Sequence, residues 1–193
     1  MAERLPSRTT IVGLIRNGVL DAELAALLWL LSEEGLPIQV ALGGGDSSML
    51  ADGLLDLVPH VGRVTGASLE DVLAATSGDP SRLGVVLVAG RERVAAAHYV
   101  RPPLRDAGGH IRPQGPAVLA AWDEGLGTLE HYAWGVIPEL AERVGRRAGD
   151  LELDLERRRA YLADLAAAAI LDPTAVRAAL DGFLGSGAVP HRH

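Results

Sequence analysis

Residues 38–50 read IQVALGGGDSSML, and the parsing of this stretch decides the fold. Residues 38–42 form a short apolar run suited to a buried strand, Gly43-Gly44-Gly45 is a turn, and Ser47 and Ser48 open a run of helical character. Strand, glycine turn and hydroxyl-initiated helix is the local order in which backbone N–H groups cradle a phosphate. The stretch therefore predicts a P-loop-like βα-layered core, with Gly43, Gly44, Gly45, Ser47 and Ser48 as the candidate residues of a residual phosphate or anion site.

The flanking sequence supports that layering. Upstream, DAELAALLWLLSEE (21–34) places Leu24, Leu27, Leu28 and Leu31 at helical spacing, with Asp21 as N-cap and Gly35-Leu36-Pro37 as terminator. Downstream, a helix over 47–58 stops at Pro59, a short strand covers 63–66, and Ser68 with Asp71 forms a capping pair for a helix running to about Thr76. The loop Ser77-Gly78-Asp79-Pro80 follows, and GVVLVA (84–89) is the continuous apolar run of a strand covered on both faces.

The pattern changes after Gly90. Strands over 93–100, 117–122 and 129–134, separated by turns rich in proline and glycine, predict an antiparallel meander. Residues 101–110 read as a long exposed connection ending in a hairpin tip. Helices follow over 138–147, 151–170 and 172–184, the last with Asp172 as cap and Pro173 at its first position. The expected organisation is one compact domain over 1–185, divided into a P-loop-like α/β part (11–92), the meander (93–136) and a helical cap (137–185). Residues 186–193 form a frayed tail.

Composition limits the chemistry. There are no cysteines, so disulfides, thiolate metal sites and cysteine nucleophiles are excluded. The net charge of −7 argues against non-specific nucleic-acid binding. The run Arg157-Arg158-Arg159 reads as the solvated face of a helix laced with acids. No signal peptide and no membrane insertion are expected, because the N-terminus is polar and the longest apolar stretch, 24–31, is too short to span a bilayer. The expected location is cytoplasmic.

All 18 basic residues that are not histidine are arginine, and there is no lysine. A working phosphate loop needs a lysine reaching the outer phosphates and a Ser or Thr holding magnesium. Here Gly45-Asp46-Ser47 stands in place of Gly-Lys-Ser/Thr, and a carboxylate facing a triphosphate is unfavourable by roughly 1 to a few kcal/mol. Arg16 and Arg63 are the nearest arginines in sequence, and GVVLVAG ends in Ala89-Gly90 where an acidic magnesium ligand is required.

Three segments, taken in order, resemble the secretion and type IV pilus ATPases: DAELAALLWLLSEEGLPIQVALGGG, GASLEDVLAATSGDPSRLGVVLV and RRRAYLADLAAAAILDPTAVRAALDGF. The strands over 94–135 are similar to that family's late β-meander. The resemblance covers about two-thirds of the chain. It implies a shortened, degenerate relative in which Asp46 falls on the Walker A lysine and Ser47 on the magnesium hydroxyl. Val64-Thr65-Gly66-Ala67 stands where the histidine box is expected, and the acidic and Walker B boxes are missing. What it implies is a non-catalytic protein without cofactor, acting through a protein partner or as a homo-oligomer, with at most weak nucleotide or anion binding.

Two enzyme readings stand beside it. Gly45-Asp46-Ser47 also resembles the nucleophile block of GDSL esterases, but the residue three before His191 is Ala188 and not the partner Asp. The other is a nucleotide hydrolase with an arginine in place of lysine. His60, His98, His110, His131, His191 and His193 are too scattered for a metal site. Trp122, His131, Tyr132 and Trp134 concentrate aromatic surface in two neighbouring strands, either as cross-strand packing or as an exposed patch for a partner.

Overall fold

The computed structural model describes residues 8–43, 47–76, 79–106 and 108–187. Among them, two short helices precede the sheet: α1 (Ile11–Arg16) and α2 (Ala22–Glu33). Asp21 caps α2 as the sequence predicts, its Oδ1 accepting the Leu24 N–H at 2.9 Å. All residues from Leu24 to Leu31 are buried, because α2 is covered on both sides, by the sheet and by a later helix.

Next come β1 (Ile38–Leu42), α3 (Ser47–Leu54), β2 (Val61–Thr65), α4 (Leu69–Ala75) and β3 (Val85–Ala89). The Ser68/Asp71 capping box on α4 is present. β3 is covered on both faces, as its unbroken apolar run requires. The meander is β4 (Val94–Tyr99), β7 (Ala117–Asp123) and β8 (Thr128–His131), with a two-stranded hairpin, β5 (Leu104–Arg105) and β6 (Ile111–Arg112), in the exposed connection between β4 and β7. The helices α5 (Ile137–Arg143), α6 (Ala148–Ala167) and α7 (Pro173–Gly187) complete the described chain, and α6 packs along α2.

Six of the eight strands among the described residues form one mixed sheet in the order β2-β1-β3-β4-β7-β8. β2, β1 and β3 are parallel, with Ile38 opposite both Val61 and Val85; from β3 to β8 every pairing is antiparallel. α3 places Leu50, Ala51 and Leu54 in the main core with α1, α2 and α6. α4 lies on the opposite face, where Val72 meets Ala41, Leu83, Val86 and Val100 in a smaller core. The protein is a mixed α/β structure with seven α-helices among its described residues.

Several boundaries differ from the sequence reading. α3 ends at Leu54, followed by a turn in which the Val58 N–H bonds to the Leu54 carbonyl. The strand expected over 129–134 ends at His131: the Tyr132 N–H still donates across to the Leu119 carbonyl of β7, but Ala133–Gly135 then coil into a 3₁₀ turn that ends the pairing. α1 is a separate helix; Thr10 caps it, and Asp56, from beyond α3, accepts the Ile11 N–H at 2.8 Å. α7 continues through Gly187, into the stretch expected to fray, and 188–193 lie outside the described residues.

Candidate functional site

β1 delivers the glycine turn at its carboxyl end, beside the carboxyl end of β2. The helix after β1 lies on one face of the sheet and the helix after β2 on the other. The strand order reverses at β1, and open α/β sheets place ligands at the carboxyl ends of the strands that flank such a switch point, here β1 and β3. Gly43 follows β1 as a turn residue, Ser47 is half-buried, and Ser48 is exposed at the start of α3; Gly44, Gly45 and Asp46 lie outside the described residues.

Gly43 faces backbone. A Cβ on it would stand 2.5 Å from Gly66 C, Gly66 O and Ala67 N, so the turn after β1 is packed directly on the turn after β2. Gly66, with φ +148°, is crowded in turn against Val72. The donors of that second turn are already used: the Asp71 carboxylate accepts the N–H groups of Ala67 and Ser68, each at 3.1 Å. An internal carboxylate thus fills the anion role at the start of α4, and Gly43 has a packing reason to be glycine.

The arginines nearest in sequence are turned elsewhere. Arg63 Nη2 donates to Asp52 Oδ1 on α3 at 3.0 Å, and Arg16 Nη1 to the Ala166 carbonyl on α6 at 3.2 Å. At the end of β3 the Gly90 N–H donates to the Arg93 carbonyl at 2.7 Å, closing a turn into β4. No hydrogen bond joins Ser47 to a histidine among the described residues. His110 pairs with Asp106, and His191 and His193 lie outside them. No cluster of three metal-ligating side chains occurs among the described residues.

His131 is a fixed structural histidine. Its Nε2 lies 2.7 Å from Asp21 Oδ2 and its Nδ1 3.6 Å from Glu23 Oε1. Burial acts to lower its pKa, but the Asp21 hydrogen bond and the two carboxylate charges prevail and raise it. His98, on the second face of β4, is shifted the other way by burial alone.

The arginine run divides. Arg159 pairs with Glu156 at the surface, whereas the Arg158 side chain is buried, which corrects the solvated-face reading. Arg158 stacks on Trp29 at 4.6 Å and donates to Glu33 at 2.6 Å and to Asp154 at 3.1 Å. Trp29 Nε1 also donates to Glu33, at 2.7 Å, and Arg146 joins Glu34 and Asp154, each at 3.0 Å. Burial would raise the Asp154 pKa, yet hydrogen bonds from Arg158 and Arg146 hold it below the usual carboxylate value. This network joins α2 to α6, and only contact across the fold reveals it.

The aromatic segment after the meander is the most exposed apolar surface. Trp134 is 78% exposed, and it borders a groove of about 210 Å³ floored by Ala133, Ile137 and Leu155 and rimmed by Glu23, Glu152, Glu156 and Arg159. Trp122, by contrast, lies under the Arg93 guanidinium at 4.1 Å. The sequence offered the cluster of aromatics as a signal; which of them faces solvent depends on the 3₁₀ turn at 133–135. Comparison with known proteins finds no family model that matches this chain and no match among curated proteins.

Proposed function

We propose that this chain is a non-catalytic, secretion-ATPase-like protein that acts through protein–protein contacts as an assembly or regulatory subunit. Trp134 carries the reading. A tryptophan so exposed, above an apolar groove with a charged rim, has the anatomy of an interface anchor, where tryptophan and arginine supply most of the binding energy. The occupant is a second copy of the chain or another protein. No helix among the described residues is long and apolar enough to cross a membrane.

The P-loop-like part of the proposal rests on β1, the glycine turn and α3 standing in order beside two parallel neighbours. Its inactivity rests on Asp46 in the lysine position of a lysine-free chain, and on a β3 that ends in Ala89-Gly90. With Gly43 packed on the next turn, nucleotide or anion binding at Gly43, Gly44, Gly45, Ser47 and Ser48 is at most weak.

Sedimentation equilibrium of the chain, alone and with the products of neighbouring genes, tests the contact. Association is expected, weakened at least tenfold in Trp134→Ala. Thermal stability with magnesium and ATP tests the rest, since a ligand at a hundred times its dissociation constant stabilises by about 2.7 kcal/mol. No shift is expected. Phosphate release from ATP, or a shift that disappears in Ser47→Ala, would overturn the non-catalytic reading.

A further inference from the structure

A second cavity lies at the other end of α5, where β4 runs into the β5–β6 connection, and it is independent of the Trp134 groove. We infer that it binds a small monocarboxylic acid with an apolar body. Its volume is about 420 Å³, within the range of small-molecule sites. Pro102 and Leu104 supply apolar wall, and Glu139, Glu142 and Arg143 of α5 line it from the other side.

The pointer to a ligand is Tyr99. It lines this cavity, is 1% exposed, and its hydroxyl has no hydrogen-bond partner among the described residues. A buried hydroxyl left unpaired costs roughly 1–3 kcal/mol, so such a group marks a place where a partner is missing. Burial, aided by the charge of Glu139, raises the Tyr99 pKa, which keeps the hydroxyl protonated and able to donate.

The charges select the ligand. Glu139 is answered by Arg101, whose Nε lies 3.1 and 2.8 Å from its two oxygens. Arg143 has no hydrogen bond or ion pair among the described residues and is the cation left to meet a carboxylate. Glu142 lines the same wall and repels any carboxylate, the first as well as a second, so a single ligand carboxylate is to be held at Arg143, with the apolar body of the ligand against Pro102 and Leu104.

Calorimetric titration of the full chain with 1-naphthoate, and with 1-naphthylmethylamine as its cationic counterpart, tests the site. Saturable one-to-one binding of the naphthoate is expected, with no binding of the amine. The affinity should fall at least tenfold in Arg143→Gln and roughly tenfold in Tyr99→Phe. Absence of saturable naphthoate binding, equal or tighter binding of the amine, or unchanged affinity in both variants would overturn the proposal. Should Tyr99→Phe fail to fold, Arg143→Gln, at an exposed helix position, decides alone.

Discussion

The two halves of the sheet are built to different degrees of closure. In the parallel half, β2-β1-β3, the main core covers one face and α4 the other, and the turns at the carboxyl ends meet backbone to backbone at Gly43 and Gly66. In the antiparallel half, β4-β7-β8, the core face is equally dry, but the second face carries Ala96, His98, Val118 and Ala121, with Val118 40% exposed. The half that carries the glycine turn expected from the sequence to hold an anion is the one in which Gly43 is packed against the next turn. The half that reads as an ordinary meander leads to the exposed tryptophan and the unpartnered tyrosine hydroxyl. A motif names a local backbone path; whether that path leaves room for a ligand is decided by what packs on it.

Three experiments break or sharpen this contrast. The largest effect is expected at the layer that closes the core over α2. Arg158→Met removes the ion-pair partner of Glu33 and one of the two of Asp154; the guanidinium is buried but both acids are partly open to solvent, so the lost charged hydrogen bonds cost about 2–4 kcal/mol. Chemical denaturation measures it; a loss below about 1 kcal/mol would show that the network adds little to closure.

The second experiment compares the halves directly. Gly43→Val drives a side chain into the backbone of Gly66 and Ala67 and is expected to cost roughly 1–3 kcal/mol. Val118→Ala, on the open face, should stay within about 0.5 kcal/mol. Equal costs would remove the distinction between a closed and an open half.

The smallest effect concerns His131, which ties β8 to the cap of α2. Its folded pKa is raised, so its contribution to stability is complete below the ordinary histidine value near 6.5 and is lost as pH rises through the folded value. His98, shifted down, contributes in the opposite sense, and its share is lost as pH falls through its own folded value. Stability measured across this range should therefore lose its decline above pH ~6.5 in His131→Asn, and an unchanged profile would show that the Asp21 contact carries no weight.

Much of the fold was legible because its signals are local. The Asp21 cap, the Ser68/Asp71 capping box, the doubly covered run of β3 and the meander are all specified within a few residues of where they act. The misread elements depend on distant partners. α1 spans six residues and takes part of its capping from Asp56, and β8 stops early because the chain coils into the 3₁₀ turn Ala133–Gly135. The candidate site was legible as a turn and not as a packed turn, since the neighbour of Gly43 is brought in by strand order. Arg158 is the clearest case: three consecutive arginines look alike in sequence, and only the position of α2 decides which is buried.

The environments of the three tryptophans have a practical consequence. Trp29 is enclosed at the α2–α6 contact beside Phe183, Trp122 is stacked under a guanidinium at the far end of β7, and Trp134 stands in solvent. Their emission therefore divides into a shielded and an accessible population, and iodide quenches the second while leaving Trp29 untouched. The chain carries its own optical probes, one for the sealed layer and one for the surface on which a partner would close.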